Sequence, residues 1–145
     1  VEILIKDLQK KTKVSKTLIK RVVKVTLVHE GCLNGQVSIV LCDDGYIQRL
    51  NREYRQVDEP TDVLSFSMTE GKFSELNPQL LGDVVVSLET AARLAIRYRH
   101  SLSDEVALLV THGLLHLLGY NHGKARDAKL MRHKEKEILK GLGIK

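Results

Sequence analysis

Tryptophan is absent from this chain, and aromatic residues make up only 4% of it. The hydrophobic fraction of 43% is therefore carried mainly by aliphatic side chains, at a level ordinary for a globular protein. Cysteine occurs twice, as Cys32 and Cys42, with no CxxC spacing. That reads as two reduced, partly buried thiols of a cytoplasmic protein, with no disulfide framework. Proline also occurs only twice, and no repeat, low-complexity tract or Pro/Gly-rich linker divides the sequence. One domain over residues 1–145 with one core is expected. No apolar run reaches the length of a membrane span, because charges interrupt every candidate. No signal-peptide pattern opens the sequence, and no membrane partner is expected.

Positive charge is plentiful and unevenly placed. The net charge is +5. From Lys6 to Lys24 there are eight basic residues and one acid, Asp7. From Lys124 to Lys145 there are eight more, against Asp127, Glu135 and Glu137. Such blocks are commonly solvated helix faces. Together with Arg93, Arg97 and Arg99 they also suit a polyanionic partner.

Periodicity predicts nine elements. Val1 to Ile5 is a first strand, rich in β-branched residues. Ser15 caps a helix whose Leu18, Ile19, Val22, Val23 and Thr26 recur at helical spacing and which ends near Gly31. Gln36 to Cys42 is the second strand, and Asp43-Asp44 caps a helix ending before Pro60. Val63–Met68 and Gly82–Leu88 are strands joined by a polar loop from Thr69 to Gln79, as in an antiparallel pair. Helices follow from Glu89 to Arg99, from Ser101 or Ser103 through the histidine-rich stretch, and from Arg126 to Lys140. The order βαβαββααα implies an α+β fold, with a small mixed four-stranded sheet covered by helices.

The chemistry concentrates in Thr111–His122, which holds half of the six histidines. His112 and His116 stand four apart in a helical run, so both lie on one face. Gly119 is a helix terminator able to turn the chain back, and His122 follows three residues later. H-x3-H-x5-H suits a three-histidine metal site with an open fourth position. The competing reading is a pair of buried histidines satisfied by backbone groups. Burying two unpaired imidazoles in a helix this apolar is costly, and a metal accounts for both. The stretch nearly matches the metzincin pattern H-E-x-x-H-x-x-G-x-x-H. Gly113, however, stands where a zinc protease carries its glutamate general base.

His112-Gly-Leu-Leu-His116-Leu-Leu-Gly119-Tyr-Asn-His122 resembles the signature of the YbeY family of bacterial endoribonucleases, or rRNA maturation factors. Leu50-Asn51-Arg52-Glu53-Tyr54-Arg55, Pro60–Phe66 and Leu81–Ser87 resemble further family segments in the same order. Met131, Glu135, Ile138 and Leu139 fit the family's last helix, while Asn121 stands where the family commonly has Asp. The resemblance implies a zinc-dependent, single-strand-specific endoribonuclease acting in 16S rRNA 3′-end maturation and ribosome quality control. It implies contact with RNA and the small ribosomal subunit, no DNA partner, and a cytoplasmic location. It carries over His112, His116 and His122 as ligands of one zinc ion per chain, and Arg55 as the functional arginine. His112 is the histidine also expected to act catalytically.

The residues leave two nucleophiles open, a water at the metal or the RNA 2′-hydroxyl. Asp62 and Asp83 are expected to hold turns, or else to orient a histidine ligand. Ser65 and Ser67 are expected on one sheet face, lining the groove. His29, His100 and His133 read as ordinary exposed or helix-end residues. Two other functions compete: a ribosome-assembly or RNA-binding factor with a mainly structural zinc, and a metallohydrolase of another substrate class.

Overall fold

The computed structural model describes residues 1–68, 79–121 and 123–144. Its elements are β1 (Glu2–Asp7), α1 (Lys16–His29), β2 (Gln36–Cys42), α2 (Asp44–Arg55), β3 (Val63–Ser67), β4 (Leu80–Ser87), α3 (Leu88–Arg97), α4 (Leu102–Leu117) and α5 (Ala125–Gly141). This is the α+β order expected from the sequence. Nearly all of the expected Thr69–Gln79 loop lies outside the described residues.

Helices α1 to α4 start at side-chain caps. Ser15 accepts from the Leu18 amide and Asp43 from the Tyr46 amide. Ser101, rather than Ser103, caps α4 by accepting from the Asp104 amide. Each cap satisfies a backbone donor that the first turn leaves unpaired.

The four strands form one sheet in the order β1-β2-β4-β3. β1 and β2 pair in parallel, as do β2 and β4, while β3 runs antiparallel to β4 at the sheet edge. Side chains alternate across the sheet, so each strand feeds two layers. Val37, Ile39, Leu41, Val84 and Val86 enter the main core with Ile19, Val22, Val23 and Leu27 of α1. Val85 and Cys42 pack instead with Ile47 of α2, with Leu64 and Phe66 against them.

Helix α4 is buried on most of its surface, from Val106 through Leu117, and contacts α1, α3, α5, β3 and β4. It can lie this close to the sheet because of Gly113. A Cβ there would stand 2.5 Å from Val84 Cγ1 and 3.2 Å from both Ser65 Oγ and Val63 Cγ2. The helix ends in a Schellman motif. Gly119 takes a φ of 101°, its amide bonds the His116 carbonyl, and the Tyr120 amide bonds the Leu115 carbonyl.

Candidate active site

The face of α4 that carries His112 and His116 looks across a groove of about 560 Å³ toward edge strand β3. Arg55, Asp62, Ser65, Phe66 and Ser67 also line it. The packing at Gly113 brings the two histidines to this strand. Ser65 strengthens the approach by donating its hydroxyl to the Gly113 carbonyl at 2.8 Å.

The two half-buried imidazoles converge. Their Nε2 atoms are 3.1 Å apart, with the rings at 74° to one another. Two imidazole nitrogens bound to one tetrahedral zinc at its usual bond length stand about 3.3 Å apart. Movement of a few tenths of an ångström would therefore let both bind one ion. The Glu135 carboxylate lies 2.5 Å from His112 Nδ1. It accepts from the Nδ1–H, which places the His112 lone pair on Nε2, the atom facing His116. The donor set and the tautomer both fit a zinc ion. His122, the expected third ligand, lies outside the described residues.

Arg55 is the last residue of α2, and its guanidinium reaches β3. Nη2 donates to the Ser65 carbonyl at 2.9 Å, and Nη1 to the carbonyl of Tyr54 at 3.3 Å. The guanidinium carbon lies 5.0 Å from the centroid of the Phe66 ring. Stacking and a strand carbonyl thus orient an exposed arginine along the groove wall.

The expected roles of the remaining polar residues separate. Asp62 holds the start of β3, accepting from the Val63 amide at 2.8 Å, while also lining the groove. Asp83 lines a cavity on the opposite face of the sheet, which removes it as an orienter of His112 and His116. The carboxylate that orients His112 is Glu135, from α5. The sequence does carry a signal for it: Glu135 falls at the spacing of Met131, Ile138 and Leu139, so an acid occupies a core-facing stripe. Asn121 acts as a turn residue, its Oδ1 accepting from the Gly123 amide.

The other histidines have carboxylate partners, and only that of His133, Glu137 four residues on in α5, is legible from spacing. His100 Nε2 is 2.5 Å from Oε1 of buried Glu105. His29 lies between the carboxylates of Glu30 and Glu137, and His133 contacts Glu137. Cys42 is buried, and burial, aided by the charge of Asp43, pushes its thiol up to about 12. A thiol so rarely ionised is a structural residue.

The family model described as endoribonuclease YbeY matches residues 3–143. A relative from Carboxydothermus hydrogenoformans, named endoribonuclease YbeY, is 51% identical over 97% of this chain and 96% of its own length. Another of that name, from Clostridioides difficile, is 43% identical over 99% of this chain and 98% of its own. The solution structure of TM1509 from Thermotoga maritima superposes with a TM-score of 0.65 at 26% identity. That match covers 94% of this chain and 86% of that one.

Proposed function

Because the chain belongs to the YbeY family of endoribonucleases, we propose that it cleaves single-stranded RNA in the groove between α4 and β3, using one zinc ion held by His112, His116 and His122. We further propose that its substrate is the 3′ end of 16S rRNA, and that it serves ribosome quality control in the cytoplasm beside proteins of the small subunit. The observation that carries the metal-dependent reading is the convergence of the His112 and His116 Nε2 atoms in the groove that Arg55 also lines.

Zinc in a three-histidine site supplies Lewis-acid charge and an open position for water or a phosphate oxygen. Glu135 contributes orientation by holding the His112 ring through Nδ1. Arg55 contributes a planar cation. Its guanidinium has five N–H donors, of which the Ser65 and Tyr54 carbonyls take two. Among the described residues no others take the remaining donors, which suit phosphate oxygens, whose charge grows as phosphorus becomes pentacovalent. No carboxylate stands at position 113, and a side chain there would collide with Val84. That argues against a peptidase mechanism.

Metal content and cleavage of an rRNA 3′-end fragment, measured together, test this reading. Wild type should carry about one transition metal per chain. Arg55→Ala should keep its metal and lose roughly 10²–10³-fold in cleavage rate. His116→Ala should lose both. Full metal retention by the doubly substituted His112→Ala, His116→Ala protein would sink the proposed site.

A further inference from the structure

Aromatic residues are few here, and the buried core among the described residues contains none of them. Yet three of the chain's four tyrosines and two phenylalanines, namely Tyr46, Tyr54 and Phe66, line one surface groove of about 540 Å³. The groove lies on the α2 side of the sheet. Its floor includes Ser38 and Asp83, register partners on β2 and β4, and Lys6 stands at its β1 side. Phe66 lines both this groove and the histidine groove, so the two meet at that residue.

Packing accounts for Tyr46 and Phe66, which lie against the small Ile47 cluster. It does not account for Tyr54, which is 57% exposed and meets Phe66 edge to face at 5.4 Å. Cations flank the rings. The Arg49 guanidinium lies 5.4 Å from the Tyr46 ring centroid, and that of Arg55 lies 5.0 Å from Phe66. Exposed aromatic faces beside basic groups are how proteins hold unpaired nucleotides, the rings stacking on bases and the cations facing the backbone. Ser38 and Asp83 add a polar floor of the kind that meets base edges.

We propose that this groove binds the nucleotides of single-stranded RNA that flank the scissile one, with Tyr54 as the base-stacking surface and Lys6, Arg49 and Arg55 facing the phosphates. The inference rests on the endoribonuclease reading above. It places the strand across Phe66, from the histidine groove onto the α2 side of the sheet.

Fluorescence anisotropy with a labelled adenosine decamer in the presence of a chelator tests it without requiring cleavage. Tyr54→Ala should weaken binding about tenfold, whereas Tyr54→Phe should stay within about twofold of wild type. In a parallel assay with metal, Tyr54→Ala should raise KM for the decamer about as much as it weakens binding, and Tyr54→Phe should restore it. Undiminished decamer binding by Tyr54→Ala, or losses in Tyr54→Phe as large as those in Tyr54→Ala, would overturn the groove assignment and leave the endoribonuclease reading standing. Failure of wild type to bind the decamer in chelator would overturn the groove assignment, and failure to cleave it with metal present would overturn the endoribonuclease reading.

Discussion

Glu135 and Gly113 show how much a single residue decides at this site. Glu135 is one hydrogen bond removed from the proposed metal, yet it selects the nitrogen that His112 presents. Glu135→Ala should weaken zinc affinity by about 10–100-fold, as loss of a ligand's orienting partner commonly does. Competition against a chromogenic chelator measures this, and unchanged affinity would remove Glu135 from the site. Gly113 raises a question of sign. Alanine in place of glycine gains about 1 kcal/mol of helix propensity. The new methyl, however, would meet Val84 Cγ1 at 2.5 Å in a packed layer, and overpacking typically costs about 1–3 kcal/mol. Gly113→Ala should therefore destabilise the fold by up to about 2 kcal/mol in urea denaturation. A variant as stable as wild type would show that α4 has room to move off the sheet.

Among the elements, three helices are joined where α4 ends. Tyr120, just past the Schellman turn, donates its hydroxyl to Glu30 at the end of α1, and Lys134 of α5 approaches the same carboxylate. Burial pushes the Glu30 carboxyl up. The hydrogen bonds from Tyr120 and His29 and the positive charge of Lys134 outweigh burial, so it lies below its ordinary value of 4.5. A depressed carboxylate stabilises the fold above its unfolded-state pKa and loses that contribution as pH falls through the folded value. The melting temperature should drop as pH falls below about 4.5, and Glu30→Gln should flatten that part of the profile. An unchanged acid profile in Glu30→Gln would mean that other carboxylates carry the effect. Asp44 is one such group: burial raises it, but bonds from Ser87, Thr90 and Arg93 bring it below its usual range. The thiol of Cys32 is raised by burial and by the Glu30 carboxylate, so it should react slowly with alkylating reagents.

At the scale of the whole molecule, the net charge of +5 gives RNA binding a large electrostatic component. Affinity for a single-stranded decamer should fall steeply between about 50 and 200 mM salt, with a log–log slope of about −0.7 per neutralised phosphate. A flat salt dependence would argue that RNA is not the ligand. The order of strands and helices was legible in the chain because hydrophobic period, caps and turn residues are local properties. The spacing of His112 and His116 was legible for the same reason, since one turn of helix places them together whatever surrounds it. Motif resemblance singled out Arg55, but its orientation by the Ser65 carbonyl and the Phe66 ring depends on strand β3. Glu135 meets His112 across 23 residues of sequence, through packing of α5 on α4. Gly113 reads in the sequence as a missing general base, whereas in the fold it is the position at which α4 touches the sheet. Local order was thus the sequence's own to determine. The site's outer contacts and its shared groove were decided only in the tertiary structure, because they join side chains that no short-range periodicity relates.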